Sequence, residues 1–600
     1  GSWLIIDPSA GGSENPLAAQ LIQELSERGQ DVVRVCPAAQ YRKVSKSEYH
    51  LHPARREEWA ALVDDLAASG RRPRRAVHMW TLASAQGLAA KNNGIPLGAE
   101  TQDYCFWSLL RLSQALVRPD QDPVGLDIVT SGLQEVTGEE ELIPSRSLAL
   151  AAARVIPHEY PAVRCRSIDL GAALLKPKAA QSAAAMLMDE LALQAPQPVV
   201  AYRGRRRWVQ TFQRLSLKGD DLAARLRQKG VYLITGGASP FSLLTAGYLA
   251  RTVQARLVLS GKWGLPPQPQ WDQVPEEESE AFQKIARLRR LQEEGAEIVV
   301  CDSEPNGSQP LHKAVEEALR RFGDLHGVVY AGGESSLEFA RSIAELDREF
   351  FEQRLQARLG GLAALEEALQ GRRLDFCLLA STVASLLGGW GLAAECAADN
   401  YLDAFARSRR SPWMSVNFDA FRSQESDASP AALQQAHAIR SEESSDLFDR
   451  LLSLRGLPQL VISTTDLEAR LLKLQKGVAD GPAEEEGERP LKKRPDLEVP
   501  FTEPRNDLER RIAETWAELL GYEQLGVRDN FFDLGGNSLM ATQLLSRLRD
   551  RFEVNLSLKD FFEGGTVASV AKGIEVIRWA TQGQVRAPEA GSEDEEFGEI

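Results

Sequence analysis

Little in this 600-residue chain commits it to a metal, a membrane or a nucleic acid. Its six cysteines (Cys36, Cys105, Cys165, Cys301, Cys377, Cys396) lie far apart with no CxxC pair, and its seven histidines show no metal-ligand spacing. No metal centre is therefore expected, and the thiols read as buried and reduced, as in a cytosolic protein. No apolar run reaches the roughly 18 residues a membrane span needs, and the N-terminus has no secretory pattern, so no membrane partner and a cytoplasmic location are expected. A formal net charge of -15 argues against a nucleic-acid-binding surface, and the short cluster from Arg203 to Arg207 reads as a solvated strand end. Gly1-Ser2 reads as a remnant of cloning, so the natural chain is expected to continue upstream.

What is present is a succession of domains, since 43% apolar residues over this length exceed what one core supports. The first two hundred residues alternate short apolar runs (Trp3 to Ile6, Asp31 to Val35, Arg75 to Trp80, Gly125 to Thr130) with amphipathic stretches (Leu17 to Arg28, Trp59 to Ala68, Phe106 to Val117). This alternation predicts a parallel sheet with helices on its faces. Its first strand is followed by Asp7-Pro8-Ser9-Ala10-Gly11-Gly12, which does not fit a dinucleotide fingerprint. A second series starts at Val231, with strands predicted at Val231 to Thr235, Ala255 to Ser260, Glu297 to Cys301, Gly327 to Ala331, Phe376 to Ala380 and Trp413 to Phe418. From Gly477 to Pro504 the sequence turns to Glu, Lys, Pro and Gly, which predicts a flexible tether. Gly583 to Ile600 is acidic and predicts disorder, with docking as its conceivable role.

The stretch Asp529-Asn530-Phe531-Phe532-Asp533-Leu534-Gly535-Gly536-Asn537-Ser538-Leu539 carries the strongest functional signal. Ser538 follows a glycine turn and precedes a run with helical periodicity (Leu539, Met540, Leu544, Leu545, Leu548, Phe552). A serine placed so would stand at a helix N-terminus, where free backbone N–H groups favour a phosphate; an ordinary N-cap serine is the plainer alternative. From about Asp507 to Ile574 the chain resembles the carrier proteins of polyketide and peptide assembly lines. The resemblance implies 4′-phosphopantetheine attached covalently to Ser538 by a phosphopantetheinyl transferase and loaded with an acyl thioester. The Gly-Gly-Asn-Ser-Leu spelling is closer to peptidyl than to acyl carriers, which hints at a downstream peptide synthetase.

Upstream, Tyr232-Leu233-Ile234-Thr235-Gly236-Gly237, Gly327-Val328-Val329-Tyr330-Ala331-Gly332-Gly333 and Leu386-Leu387-Gly388-Gly389 leading to Tyr401-Leu402-Asp403-Ala404-Phe405 resemble polyketide synthase ketoreductases. The resemblance implies an α/β fold with two Rossmann-like subdomains of short-chain dehydrogenase/reductase type, followed by a small four-helix carrier. The implied bounds are 1–215 (structural subdomain), 216–476 (catalytic subdomain), 477–505 (linker), 506–578 (carrier) and 579–600 (acidic tail). Other polyketide synthase domains are the implied partners.

The family's functional positions are altered. After Gly236 and Gly237 the cofactor loop reads Ala238-Ser239-Pro240-Phe241-Ser242, with side chains in place of glycines and Pro240 lacking an N–H, so NADP(H) is not expected to bind. Lys262 and Asp302 stand where a 2′-phosphate partner and an adenine-facing acid would be. The reductive Lys, Ser, Tyr and Asn fall on Arg358, Thr382, Glu395 and Asp399. A Glu with a pKa of ~4.3 cannot replace a phenol near ~10 as proton donor at neutral pH without a rise of about three units. A salt bridge between Arg358 and Glu395 is expected instead, and Tyr401 and Asn400 are decoys. The expected function is a redox-silent pseudo-ketoreductase scaffold beside an acyl carrier. The alternatives are an active NADPH-dependent reductase, acid-base chemistry by Glu395 and Asp399, and a non-catalytic interaction protein.

Overall fold

Runs such as Val231-Tyr232-Leu233-Ile234 and Trp413-Met414-Ser415-Val416-Asn417-Phe418 are buried along their whole length, as strands covered by helices on both faces must be. In the computed structural model they build two sheets. The first has the order β3-β4-β2-β1-β5-β6-β7-β8-β9, where β1 is Ser2–Ile6, β2 Asp31–Pro37, β3 Arg42–Lys43, β4 Glu48–Leu51, β5 Pro73–His78, β6 Val124–Thr130, β7 Val163–Leu170, β8 Val199–Arg203 and β9 Arg206–Val209. It is parallel except for the β3–β4 and β8–β9 pairs at its two edges. The second has the order β12-β11-β10-β13-β14-β15-β16, where β10 is Val231–Ile234, β11 Arg256–Gly261, β12 Glu297–Asp302, β13 Gly327–Tyr330, β14 Phe376–Thr382, β15 Trp413–Phe418 and β16 Gln459–Ile462. All its pairings are parallel. Strand order reverses between β10 and β13, and the crevice beyond their carboxyl ends is where a fold of this kind holds its ligands.

The structure describes the chain except residues 1, 10–13, 84–96, 119–121, 194–196, 216–225, 276–279, 303–307, 333–339, 422–437, 441–442, 455, 480–492, 496, 498, 532, 535–540, 584–600 and scattered positions between 542 and 563. It divides into one unit of Gly1–Ser426 with His437–Glu484 and a second of Asp427–Ala436 with Glu485–Ile600.

The two sheets of the first unit share one core. Leu4, Val35, Trp59 and Trp107 from the N-terminal half are continuous with Leu233, Val328, Phe351, Leu355, Ala397, Leu402 and Phe405. Phe106 stacks on Phe351 with ring centroids 4.3 Å apart. The N-terminal half also reaches the loops around the crevice from the end of its helix Ser147–Glu159. The Glu159 carboxylate accepts from Ile343 N–H at 2.5 Å and Gly391 N–H at 3.1 Å, and His158 Nε2 lies 2.8 Å from Leu387 O.

Strands β4, β7, β8, β9 and β16 were not anticipated from periodicity. In β7, Val163-Arg164-Cys165-Arg166-Ser167-Ile168-Asp169-Leu170, charged residues are buried inside an ion network: Arg166 bonds Asp127 and, at 2.9 Å, Glu190, while Asp127 also takes Arg75 at 2.7 Å. The arginine cluster lies at the exposed end of β8 and start of β9, and its two ends also hold carboxylates: Arg203 pairs with Glu140 at 2.7 Å and Asp169 at 2.9 Å, and Arg207 with buried Glu190 at 2.6 Å.

In the second unit, the helix Asp507–Leu520 starts at Asn506, whose side chain accepts from Glu509 N–H, and stops at Gly521 in the left-handed conformation (φ 74) that glycine adopts without strain. Trp516, Phe531 and Phe561 form an aromatic core with centroids 5.0 to 5.7 Å apart, closed by the helix Val567–Gly583. Both ends of the expected tether belong to folded units. The helix Leu467–Ala479 runs past Gly477, and Arg494 grips buried Asp529 through two 2.8 Å bonds while Thr502 O accepts from Val527 N–H at 2.9 Å. The closing helix likewise takes in the first residues assigned to the tail, and 584–600 lie outside the described residues.

Candidate functional site

The crevice is built from the ends of β10, β13 and β14 and from two helices, Arg348–Leu359 and Ala393–Arg409. Gly236 and Gly237 follow β10 with φ of +96 and +61, and a Cβ on either would lie 2.8 Å from a backbone oxygen, Ala331 O or Lys262 O. Only glycine fits both positions. Beyond them the loop closes on itself. Ser239 caps the next helix, accepting from Ser242 N–H at 3.3 Å; Ser242 Oγ donates to Thr235 O at 2.8 Å, and Leu243 N–H bonds Ser239 O at 3.0 Å. Pro240 at the first helical position brings no N–H. The N–H of residue 242, one of the donors that a pyrophosphate would meet at this helix start, is thus taken up by the cap, and Pro240 supplies none. Asp302 braces the turn after β11, accepting from Trp263 N–H at 2.8 Å and Leu265 N–H at 3.1 Å, and Lys262 is exposed beside it. Loop and acid are each occupied locally, the loop by its own capping bonds and Asp302 by the backbone of Trp263 and Leu265.

Three of the four positions expected to be reductive, Arg358, Glu395 and Asp399, form with Arg354 a closed cluster of two cations and two carboxylates. Arg354, Arg358, Glu395 and Asp399 retain only 9%, 5%, 4% and 0% exposure. Arg358 donates from Nη2 to Asp399 Oδ1 and from Nη1 to Gly332 O at 3.1 Å, just beyond β13. Thr382, the last residue of β14, turns its hydroxyl onto Asp399 Oδ2 at 2.6 Å. Glu395 accepts from Arg354 Nε at 3.2 Å. The expected bridge from Arg358 to Glu395 is therefore corrected: each arginine pairs one helical turn away from that expectation. Arg354 and Arg358 are four residues apart on one helix, as are Glu395 and Asp399 on the other, so both pairs span the same 41 positions of sequence and match stripe to stripe. That matched spacing is the signal by which Arg354, overlooked in the sequence, could have been found.

Burial pushes both carboxyls above the usual carboxylate range; Arg354 pulls Glu395 back, and Arg358 with the Thr382 hydroxyl pulls Asp399 back. Two atoms in the cluster have no partner among the described residues, Glu395 Oε2 and Arg358 Nε. Tyr401 and Asn400 stand elsewhere. Tyr401 packs on Phe405 in the shared core, and Asn400 Nδ2 donates to Ser385 O at 3.2 Å and Cys396 O at 2.9 Å.

In the second unit Ser538 lies outside the described residues. Its approach is anchored: Leu534 O accepts from the Tyr522 hydroxyl at 3.0 Å and Leu534 N–H donates to Asn530 O at 3.2 Å. On the far side Ala541, Leu544, Leu545 and Leu548 are buried at helical spacing.

Comparison with known proteins agrees with these two sites. The family described as KR domain matches residues 230–423, and that described as phosphopantetheine attachment site matches residues 510–574. A third, described as beta-ketoacyl synthase-like, N-terminal, matches residues 13–181. A phenolphthiocerol/phthiocerol polyketide synthase of Mycobacterium tuberculosis is 28% identical over 386 residues, which is 61% of this chain and 19% of that protein. A 6-methylsalicylic acid synthase of Arthrobotrys oligospora is 34% identical over 185 residues, 30% of this chain and 10% of that protein. This chain thus spans a small part of the length of these relatives. Among solved structures, a C2-type ketoreductase from a modular polyketide synthase superposes with a TM-score of 0.60 at 20% identity, covering 79% of this chain and 94% of that one. The first ketoreductase of the tylosin polyketide synthase gives 0.58 at 22% identity, covering 80% and 92%.

The chain thus carries a segment that matches the KR domain family, followed by one that matches the phosphopantetheine attachment-site family, and the relatives named above are polyketide synthases or of that kind by name. The carrier takes 4′-phosphopantetheine as its covalent group. In the N-terminal stretch matched to the synthase-like family, burial raises Cys36 to about 11 and Cys105 to about 12, and raises Cys165 as well. None of the three is primed as a thiolate nucleophile. Among the described residues no helix is long and apolar enough to cross a membrane.

Proposed function

We propose that this chain holds an acyl group as a thioester on the phosphopantetheine arm of Ser538, beside a KR domain that leaves the β-keto group unreduced. The observation that carries the second half is the ionic cluster: Arg358 and Thr382 both bond Asp399, and Glu395, paired with Arg354, stands where the resemblance expects the phenol that reduction needs. The self-capped Ser239-Pro240 helix start supports the same reading from the cofactor side. Residues 1–215 serve as the structural subdomain of this scaffold, a role supported by the shared core and by the hold of His158 and Glu159 on the crevice loops. The working partners are a phosphopantetheinyl transferase and neighbouring synthase domains, with a peptide synthetase downstream as the further partner suggested by the Asn537-Ser538 spelling.

Two measurements on the full chain test this. Incubation with coenzyme A and a phosphopantetheinyl transferase adds one arm, absent in Ser538→Ala, and NADPH fluorescence shows no saturable micromolar binding. An unmodified Ser538 refutes the carrier half; NADPH saturation, or turnover of a β-ketoacyl thioester, refutes the scaffold half. One observation favours a second reading, acid-base chemistry at the α-carbon: Glu395 has a raised carboxyl pKa and a buried Oε2 without a partner among the described residues. Solvent deuterium exchange at that carbon, lost in Glu395→Gln, would establish it.

A further inference from the structure

The parallel pairing of β2 with β4 sets Cys36 beside His50 and Arg34 beside Glu48. Residues two apart on a strand share a face, so the Cys36 thiol, the Glu48 carboxylate and the His50 imidazole project on the same side of the first sheet. Their donor atoms all lie within 4.8 Å of one another, and His50 Nε2 is 3.1 Å from Glu48 Oε1. We propose that Cys36, Glu48 and His50 form a binding site for a divalent transition-metal ion of the zinc class. The three ligands come together through strand register and not through spacing along the chain: Cys36 lies on β2, and Glu48 and His50 lie two residues apart on β4.

The donor set defines the ion. Sulfur, imidazole nitrogen and one carboxylate oxygen suit Zn²⁺ or Co²⁺, whereas Mg²⁺ and Ca²⁺ take oxygen ligands. Ligand bonds of ~2.0–2.3 Å place donors roughly 3.3–3.8 Å apart in a tetrahedron, a contraction that the partly exposed Glu48 and His50 side chains can make by rotation. Three protein ligands leave a fourth position for water. The neighbouring charges are already balanced, since Arg34 beside Cys36 is paired with buried Asp7 at 2.7 Å.

Two protons move when the ion binds. The Cys36 thiol proton leaves to solvent as the thiolate takes the metal. The imidazole proton moves from Nε2 to Nδ1, and exposed Arg42, whose Nη2 lies 3.4 Å from Nδ1, swings away. The bound ion clips β4 to β2 one strand in from the edge of the sheet, where only the two-residue β3 lies outside.

Cobalt titration of the chelator-treated full chain tests the site. The expected result is a thiolate-to-cobalt charge-transfer band that saturates at one equivalent, is displaced by Zn²⁺, is lost in Cys36→Ser and persists in Cys301→Ser. Glu48→Gln, a partly exposed change that leaves the strand pairing intact, weakens binding at least tenfold and guards against misreading a misfolded Cys36 variant. Zn²⁺ raises the melting temperature of the parent chain and not of Cys36→Ser. No charge-transfer band at millimolar Co²⁺, a band that survives Cys36→Ser, or one unaffected by Glu48→Gln overturns the proposal.

Discussion

Replacing Asp399 by alanine probes the ionic cluster directly. In the parent, Arg358 is nearly inaccessible and among the described residues bonds Asp399 and Gly332 O, and Thr382 donates its hydroxyl to the same carboxylate. The substitution leaves a buried guanidinium with one backbone acceptor and strands a hydroxyl, and breaking a buried pair in this way costs about 3–5 kcal/mol. At ~2.1 cal/mol/K per residue, a unit of roughly 470 residues loses about one degree per kcal/mol, so the melting temperature falls by about 3–5 °C. The double variant Arg358→Met/Asp399→Leu removes both charges and keeps the volume, and it returns to within about 1 kcal/mol of the parent because the desolvation cost disappears with the pair. Scanning calorimetry of the full chain, following the transition of the larger unit, reads both. A fall below one degree for Asp399→Ala, or a double variant as unstable as the single, refutes the view that this pair closes the site.

Arg494→Ala removes both bonds to buried Asp529 and should cost the second unit about 3 kcal/mol; faster hydrogen exchange at Val527 N–H, which bonds Thr502 O, reports it, and unchanged exchange contradicts it. Glu140 has burial working to raise its pKa, but Arg203 and the backbone N–H groups near Thr137 outweigh burial and hold the carboxyl down at about 2. A depressed carboxyl stabilises the fold above its unfolded pKa of ~4.3 and loses that contribution as pH falls towards about 2. The stability gap between parent and Glu140→Gln, measured by urea unfolding, should therefore be full near pH 6 and shrink steadily between pH 5 and pH 2; a pH-independent gap counts against the assignment.

The strands read from periodicity included those with nearly continuous apolar runs, such as Trp3 to Ile6 and Val231 to Thr235. Strand β7 escaped because Arg166 and Asp169 look like solvent residues until Asp127, Glu190 and Arg203 are placed around them. The KR and carrier domains were legible from short motifs, since a glycine with positive φ against a neighbouring backbone, as at Gly236, leaves a chain few alternatives. The residues at Arg358, Thr382, Glu395 and Asp399, where the resemblance expects a reductive tetrad, could be named from the sequence one by one. Their partners could not, because the choice of Glu395 or Asp399 for Arg358 depends on how far one helix slides along the other.

The sequence by itself determined the order of elements, the domain types and the chemical identity of each altered position, because local periodicity, turn residues and motif spelling are properties of neighbours along the chain. Tertiary structure alone decided which charges meet. Helix register paired Arg354 with Glu395 and Arg358 with Asp399, and strand register set Cys36 beside His50. Both are contacts between segments distant in sequence, and a shift of one helical turn or one strand position would bring different side chains together.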